Sequence, residues 1–330
     1  MKNASPLRIV SLIPSATEIV VALGLSPQLV GRSHECDYPP TLSDRPICTA
    51  PKFDPSGSSR EIHERVSDLL QETLAVYAIK KDVLEGLRPT HILTQSQCDV
   101  CAVSLGDVER VVSELTGIDT QVISLQPMTL DQVWQDIQRV AGALGANATP
   151  LLTQIRRRLT AYQTRVAGCS RPTVACIEWT DPLMVAGHWM PELIEQAGGR
   201  SLFGRTGQPS TLLEWEALMA ADPDVIVVVP CGYSLDQTRE DVQQTLATHP
   251  QWGDLKAVRS GQVLLADGNY YFNRPGPRII DSLEIMAQML HPEVAGTSQR
   301  HHGWDYYLPA QPSRSPASEE LAARLANSLQ

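Results

Sequence analysis

The fold of this protein is decided near the start of the chain, by the stretch Arg8–Gly24, which reads RIVSLIPSATEIVVALG. The residues after Arg8 are apolar and largely β-branched, which is typical of a buried strand, and Pro14 ends that run. Ser15 and Glu18 then have the spacing of a capping box, so we expect a helix to begin there and to stop at Gly24. The chain therefore opens with a strand, a tight turn and a helix.

The same order of elements recurs along the chain. Short apolar runs, with helical segments between most of them, stand at His91–Thr94, Val122–Leu125, Val174–Ile177, Val225–Val229 and Val263–Ala266. Strands that alternate with helices predict parallel sheets that are covered by helices. We therefore expect an α/β fold.

The middle of the chain breaks this alternation, because two helical segments follow each other with no strand between them. Thr129–Gly145 has helical periodicity and opens with the spacing of a second capping box, and Pro150–Val166 is expected to form a long basic helix. The predicted parts are an N-terminal α/β lobe (1–126), a helical bridge (127–170), a C-terminal α/β lobe (171–294) and a tail (295–330). The tail is expected to be partly flexible, since it contains a stretch rich in proline and serine.

The composition fits two packed domains and argues against a nucleic-acid partner. Of the 330 residues, 42% are hydrophobic and 19% are charged, which is ordinary for a globular protein with two cores. The formal net charge is -10. Binding to phosphate backbones requires a basic surface, so we expect no nucleic acid among the partners.

The sequence also bears on the compartment. No stretch is long and apolar enough to span a membrane, and the first apolar run, Ile9–Ile13, is too short for a secretory signal. The seven cysteines are an odd number, which fits free thiols in a reducing cytosol better than a disulfide framework. We therefore expect a cytoplasmic protein, or a periplasmic one if a signal has been removed.

Residues that carry chemistry stand directly after the predicted strands. These loops contain His, Cys, Trp, Tyr and Phe side chains, whereas ordinary surface connections are mostly small and polar. Ligands of open parallel sheets bind at the carboxyl ends of the strands. If two such sheets face each other, these loops meet in one cleft, and we expect a ligand there.

Several of these segments resemble the cobalamin- and siderophore-binding proteins of ABC importers. The matching segments are Ser11–Glu18, Gly24, Asp37–Pro40, Leu87–Ile92, Ala221–Ile226 and Asn273–Arg278. The resemblance extends over about residues 7 to 292. It implies two Rossmann-like lobes with parallel sheets, joined by a long bridging helix, and it is closest to the cobalamin-binding branch of that family.

This resemblance implies a bulky corrinoid ligand, such as cobalamin, between the lobes. A corrinoid is large, flat and mostly apolar with amide arms, so its pocket needs aromatic walls and scattered hydrogen-bond partners, and arginine suits the phosphate of its nucleotide tail. The expected ligand-binding residues are Pro14, Ser15, His34, Tyr38, Gln95, Gln97, Trp179, Trp189, Tyr233, Tyr270, Tyr271, Phe272, Asn273 and Arg274.

The resemblance also implies a partner. Members of this family present one acidic residue from each lobe to a membrane permease, and by position Glu109 and Glu216 are the candidates in this chain. The expected partners are accordingly a small-molecule ligand and an ABC permease, and the protein itself is expected to be a monomer.

The cysteines of the loops leave a metal centre open as an alternative. Cys98 and Cys101 form a CxxC, which Cys36, Cys231 or His34 would complete only through the fold. Thiolates and imidazoles suit zinc or an iron–sulfur cluster. A redox pair, free thiols that line a pocket, and His34 as an axial ligand of a corrin cobalt also remain open. Cys48, Cys169 and Cys176 are expected to be structural, and His63, His249 and His291 to face solvent.

Three functional hypotheses follow. The first is a corrinoid-binding protein that acts as a carrier or in transport, and the second is a metalloprotein or enzyme with a Cys/His centre in the same cleft. Binding of a ferric chelate is the third, but Arg32 and Arg274 are the only cationic side chains of the cleft loops. The sequence has no nucleophile elbow, P-loop or dinucleotide fingerprint, so enzymatic activity is not the favoured interpretation.

Overall fold

The computed structural model describes residues 6–73, 76–96, 105–114 and 119–308. Two α/β lobes follow each other along the chain, and two helices connect them. The predicted α/β class is therefore confirmed.

The N-terminal lobe is built around a parallel sheet with the strand order β2-β1-β5-β6. Its strands are β1 (Ile9–Ser11), β2 (Leu29–Arg32), β3 (Thr49–Pro51), β4 (Tyr77–Ile79), β5 (His91–Gln95) and β6 (Gln121–Leu125). Its helices are α1 (Pro14–Ala22), α2 (Ser59–Thr73), α3 (Lys81–Leu87) and α4 (Leu105–Glu114). Strands β3 and β4 form a separate antiparallel pair.

Two helices, α5 (Leu130–Ala143) and α6 (Thr149–Val166), connect the lobes. Thr129 caps α5, since its hydroxyl oxygen accepts a hydrogen bond from the backbone N–H of Gln132 at 3.3 Å. Buried apolar residues of both helices belong to one hydrophobic cluster that also includes Ile9 of β1 and, from the second lobe, Val225, Val227, Leu264 and Ala266. The connection is therefore a packed core and not a flexible linker.

The C-terminal lobe has a mixed sheet with the order β10-β8-β7-β11-β12-β13, and β9 pairs with β7. Its strands are β7 (Thr173–Thr180), β8 (Leu183–Val185), β9 (Arg200–Ser201), β10 (Thr211–Leu212), β11 (Val225–Val228), β12 (Val263–Ala266) and β13 (Trp304–Tyr306). Its helices are α7 (Met190–Gln196), α8 (Trp215–Ala221), α9 (Leu235–Gln244), α10 (Lys256–Arg259), α11 (Ile279–Leu290) and α12 (Pro292–Ala295).

The centre of this sheet is buried on both faces. Val225 and Val227 of β11 pack in the cluster that continues into the bridge, whereas Ile226 and Val228 pack in a second cluster on the opposite face. Side chains of a strand alternate between its two faces, so a β11 made only of valine and isoleucine is suited to a sheet that helices cover on both sides.

The structure differs from the expectation of purely parallel sheets at the edges of the second lobe. Strands β8, β10 and β13 pair antiparallel with their neighbours, while β7, β11 and β12 are parallel. Strand β13 lies in the segment that we assigned to the tail, so the sheet continues beyond residue 294.

The first helix also begins differently from the prediction. Helix α1 begins at Pro14, whose missing N–H is tolerated in the first turn, and Ile13 caps it without a side-chain hydrogen bond. The expected capping box of Ser15 and Glu18 is therefore wrong. The stop at Gly24 is confirmed, since Gly24 follows the end of the helix with a φ of 78°.

In the described ranges, no helix combines the length and the apolarity that crossing a membrane requires.

Candidate ligand-binding cleft

A buried charged network joins the two lobes. Glu18 of α1 has only 3% of its surface exposed. Arg278, which precedes α11, donates from Nε to Glu18 Oε2 at 2.9 Å and from Nη2 to Glu18 Oε1 at 2.6 Å. Arg274 lies beside this pair, with its Nη1 3.5 Å from Glu18 Oε1. Because Glu18 belongs to the first lobe and both arginines to the second, the network spans the cleft.

Asp37 of the first lobe extends the network towards solvent. Arg274 donates to Asp37 through Nη1 at 2.6 Å and through Nη2 at 3.1 Å, which is a bidentate pair. Asn269 bridges the same two residues, since it donates to Asp37 at 3.3 Å and accepts from Arg274 at 3.1 Å. Two guanidinium groups thus face two carboxyl groups across the cleft.

The pKa of Glu18 reflects two opposed effects. Burial is the largest and raises its pKa, because the charged form loses hydration. The hydrogen bonds and positive charges of Arg278 and Arg274 oppose that rise. The carboxyl group therefore depends on its two arginine partners to remain charged.

Aromatic rings surround the network. The guanidinium carbon of Arg278 lies 3.8 Å from the ring centre of Tyr38, a cation–π contact between the lobes. Tyr270 meets Tyr38 edge to face, with ring centres 6.3 Å apart, and Tyr271 lies 6.3 Å from Tyr270. All three tyrosines are half-buried. They form a group of rings at one end of the cleft.

A second aromatic pair continues this group. The ring centres of Trp179 and Tyr233 are 5.4 Å apart, and the Tyr233 carbonyl accepts from the backbone N–H of Asn269 at 3.0 Å. Because Asn269 also contacts Asp37 and Arg274, the pair connects directly with the charged network. The cleft loops of the second lobe therefore form one continuous set of rings and polar groups.

The first turn of α2 makes a further contact between the lobes. The backbone N–H of Ser59 donates to Asp241 Oδ1 at 3.2 Å, and its hydroxyl lies 2.8 Å from the hydroxyl of Thr180, which itself donates to Asp241. Arg60 forms a bidentate pair with Asp181, at 2.8 and 3.0 Å. This contact could not be predicted from local sequence patterns, because its partners lie more than a hundred residues apart.

Several expected ligand-binding residues are buried in the protein. Trp189 and Phe272 belong to the hydrophobic core, and the indole N–H of Trp189 donates to the Phe272 carbonyl at 3.0 Å. Their role as walls of the cleft is corrected, since core packing accounts for both rings. Pro14 and Gln95 are also buried.

Ser15 of the first lobe lies against Gly276 of the second. Its hydroxyl oxygen is buried and has no hydrogen-bond partner within the described residues. A Cβ atom added to Gly276 would lie 3.1 Å from the Ser15 carbonyl oxygen, so any larger residue would crowd this contact. Asn273 fixes the same loop, since its amide donates to the carbonyls of Gly268 at 3.1 Å and Val229 at 3.4 Å.

The structure does not support a metal site at Cys36. Its Sγ lies 3.0 Å from the Thr17 hydroxyl, and burial raises the pKa of the thiol to about 12, which disfavours the thiolate that binds metals. His34 Nδ1 lies 2.7 Å from the Thr49 hydroxyl, and burial lowers its pKa. Cys231 is exposed. Within the described ranges these three residues do not form a group of three metal-binding atoms.

Three of the expected site residues, Gln97, Cys98 and Cys101, lie outside the described residues. All five cysteines of the described ranges are free thiols, as expected. The two expected docking residues are both exposed, Glu109 on α4 and Glu216 in the first turn of α8.

The family of the chain follows from a comparison of its sequence with family models. Residues 9–270 match the model described as periplasmic binding protein. The chain belongs to the periplasmic binding protein family. This confirms the resemblance, and it explains why two lobes face each other across one cleft. The family description gives no support to the expected cytoplasmic location.

Relatives of this periplasmic binding protein cover nearly its whole length. The Vitamin B12-binding protein of Photorhabdus laumondii is 26% identical over 293 residues, which are 87% of this chain and 89% of that protein. Among solved structures, a periplasmic heme binding protein from Pseudomonas aeruginosa has a TM-score of 0.68 at 21% identity, covering 93% of this chain and 100% of that one. The periplasmic vitamin B12 binding protein of Vibrio cholerae has a TM-score of 0.55 at 21% identity, covering 87% and 97%.

Proposed function

We propose that this periplasmic binding protein binds a corrinoid of the cobalamin type in the cleft between its lobes, as the binding component of a transport system. One observation carries the proposal: the similarity to the Vitamin B12-binding protein of Photorhabdus laumondii extends over 87% of the chain and therefore includes both lobes and the loops between them.

The aromatic groups of the cleft support this ligand class. A corrin ring is broad and mostly apolar, and tyrosine and tryptophan bury a large area while their polar ends still form hydrogen bonds. Tyr38 of the first lobe and Tyr270 of the second approach each other to 6.3 Å between ring centres. A flat ligand held between the lobes would therefore contact one tyrosine ring of each lobe.

The charges of the cleft favour a corrinoid over an anionic chelate. Haem carries two propionates and ferric siderophores are commonly anionic, so both need unmatched cationic groups. Here Arg274 contacts Asp37 and Glu18, and Arg278 contacts Glu18. Two guanidinium groups are matched by two carboxyl groups, so little positive charge is left for propionates. A corrinoid presents mainly amide groups and a single phosphate, so it requires fewer cationic partners than a ligand with several carboxylates.

Haem remains the second candidate, because the similar structure from Pseudomonas aeruginosa is a heme binding protein. A haem ligand would have to displace Asp37 from Arg274 so that a propionate could take its place. Asp37 is the carboxylate for which this exchange is easiest, since 38% of its side chain is exposed.

A metal centre at Cys98 and Cys101 is a further alternative, with zinc or an iron–sulfur cluster as the group bound. It rests on the CxxC spacing alone. Metal analysis and the visible spectrum of the purified protein distinguish zinc from an iron–sulfur cluster, since the cluster contains iron and is coloured whereas zinc is colourless. A metal content per chain that is the same before and after both cysteines are replaced by serine would exclude this pair.

The remaining assignments follow from the transport proposal. Glu109 and Glu216 are proposed to contact an ABC permease, one from each lobe, and the protein is proposed to act in the periplasm as a monomer. The two lobes are proposed as 1–126 and 171–306, since β13 extends the second sheet beyond residue 294, with the bridge 127–170 between them.

The variants Tyr38→Ala and Tyr270→Ala test the proposed cleft. Each should weaken cobalamin binding by about tenfold, since loss of an aromatic contact costs about 1.5 kcal/mol. Tyr162→Ala is the matched control, because Tyr162 is a half-buried tyrosine of α6 and should leave the dissociation constant unchanged. Isothermal calorimetry measures all three. If the two cleft variants bind cobalamin as tightly as the control, the ligand does not lie between these rings.

A further inference from the structure

Three side chains with metal-binding atoms meet at the end of the C-terminal lobe that is remote from the cleft. Cys169 follows α6, His291 follows α11, and Glu293 lies in α12. One donor atom of each residue lies within 4.8 Å of the other two. Helix α11 begins next to Arg278, so its 12 residues, at about 1.5 Å each, separate this group from the charged network by roughly 18 Å. The group is therefore distinct from the cleft.

The orientation of His291 is that of a metal ligand. The side chain is buried, and its Nε2 lies 3.2 Å from the carbonyl oxygen of Gly198. A carbonyl oxygen only accepts hydrogen bonds, so in the neutral ring the proton is on Nε2 and Nδ1 presents a lone pair. Metal-ligating histidines almost always donate their other ring N–H to such an acceptor, which fixes the tautomer and the ring plane.

Gly198 is part of this arrangement. It has a φ of 92°, which side-chain-bearing residues rarely adopt, and an added Cβ would lie 2.7 Å from Nε2 of His291. The glycine therefore allows the backbone carbonyl to approach the imidazole. The structure thus provides both the histidine and the support that holds its Nδ1 towards the other two residues.

The distances also suit a metal. His291 Nδ1 lies 3.7 Å from Glu293 Oε1. Both atoms are lone-pair donors when the carboxyl is ionised and Nδ1 is unprotonated, and this distance is too long for a hydrogen bond between them. A nitrogen and an oxygen ligand of a tetrahedral zinc ion, with bonds of about 2.0–2.2 Å, are about 3.3–3.6 Å apart. A small contraction would place both atoms at bonding distance.

We propose that Cys169, His291 and Glu293 bind a zinc ion. Thiolate, imidazole and carboxylate are the ligand types that zinc takes in proteins, and three protein ligands leave one position for water. Water has access, because a groove with a volume of about 450 Å³ is lined by Cys169 and Gly198. The ion joins the end of the bridging helix α6 to helices α11 and α12 of the C-terminal lobe.

The sequence alone did not reveal this group. Cys169 was expected to be structural and His291 to face solvent, but the structure buries His291, so that expectation is wrong. The two residues are 122 positions apart by their numbers, and only the packing of α11 and α12 against α6 brings them together.

Zinc titration of the metal-free protein, in competition with a chromophoric chelator, tests the proposal. Cys98 and Cys101 are first replaced by serine, so that the CxxC cannot contribute. This background should still bind one zinc ion per chain, and Cys169→Ser should abolish that binding. Glu293→Gln should weaken it without a risk to folding, since 64% of this side chain is exposed. Cys231→Ser removes an exposed thiol elsewhere and is the control that should bind zinc normally.

Two further readouts make the result unambiguous. Cobalt(II) in place of zinc should give a thiolate-to-cobalt charge-transfer band that is absent from Cys169→Ser. Excess zinc should raise the melting temperature of the background protein but not of Cys169→Ser, since a ligand that binds only the folded state stabilises it. Zinc binding that is unchanged in Cys169→Ser, or no binding by the background protein, would overturn the proposal.

Discussion

Replacement of Glu18 by glutamine is the sharpest test of the charged network between the lobes. The substitution keeps the volume of the side chain and one carbonyl oxygen, but it removes the negative charge. Arg274 keeps Asp37 as a partner, at 2.6 and 3.1 Å. Arg278 loses its carboxylate partner and keeps the ring of Tyr38, 3.8 Å from its guanidinium carbon. The main effect of Glu18→Gln is therefore to leave the charge of Arg278 partly unmatched.

The expected loss of stability follows from these contacts. Removing one partner of a buried ion pair costs about 3–5 kcal/mol. The cation–π contact with Tyr38 is present in both proteins, so it does not change this difference. Glutamine keeps one oxygen that accepts a hydrogen bond, so we expect Glu18→Gln to lower the free energy of unfolding by about 3 kcal/mol, the lower end of this range. Asp37→Asn should cost less, about 1 kcal/mol, because the side chain of Asp37 is 38% exposed.

Urea denaturation followed by circular dichroism measures both variants. Glu109→Gln, which removes an exposed carboxylate from α4, is the control and should change the free energy of unfolding by less than about 0.5 kcal/mol. A double-mutant cycle with Arg278→Met then isolates the coupling between Glu18 and Arg278. If Glu18→Gln matches the control and the cycle shows no coupling, the network does not join the lobes in solution.

Three other predictions concern charged groups outside this network. Burial raises the pKa of Glu178 to about 7 from 4.5, so the folded state holds this proton more tightly than the unfolded state, and stability falls as the pH rises from 4.5 through 7. Between pH 5 and pH 8 the free energy of unfolding of the wild type should fall by about 2–3 kcal/mol more than that of Glu178→Gln in urea melts, and equal losses would contradict the shift. Arg60→Ala removes the exposed ion pair between Arg60 and Asp181, which connects the two lobes. The variant should change the free energy of unfolding by less than about 1 kcal/mol, yet it should speed cobalamin release in stopped-flow experiments. An unchanged release rate would mean that this contact does not hold the lobes together. Reversal of Glu109 and Glu216 to lysine should abolish stimulation of the permease ATPase while the cobalamin dissociation constant stays the same, and stimulation at the wild-type level would exclude both residues from docking.

The sequence predicted best what depends on local patterns. The strands at His91–Thr94, Val174–Ile177 and Val263–Ala266 were found because short apolar runs between turn signals are a property of neighbouring residues, and the structure has strands there. The end of α1 at Gly24 was predicted for the same reason, since a left-handed residue after a helix favours glycine.

The predictions failed where the deciding contact is distant in sequence. Glu18 has the spacing of a capping box but instead pairs with Arg278, which lies 260 residues away. Trp189 was placed in the cleft because it follows a strand, whereas its N–H donates to a carbonyl 83 residues away in the core. Local spacing carries no information about such partners, because they meet only when the lobes have packed.

The same limit applies to the candidate site. The aromatic residues Tyr38, Tyr233 and Tyr270 were identified from the loops that contain them, and the structure places them around one cleft. The contact of Ser59 with Asp241 was missed, since serine and aspartate are common on surfaces and nothing in their neighbourhood distinguishes these two.

The central claim is that the cleft takes a corrinoid, and a titration of the purified wild-type protein with cobalamin and, in parallel, with haemin tests it most directly. Calorimetry and the visible spectrum follow both titrations. The account predicts saturable binding of one cobalamin per chain, with haemin binding much more weakly, because Asp37 and Glu18 already match the charges of Arg274 and Arg278. Tight binding of haemin without binding of cobalamin would contradict it and would make haem the ligand.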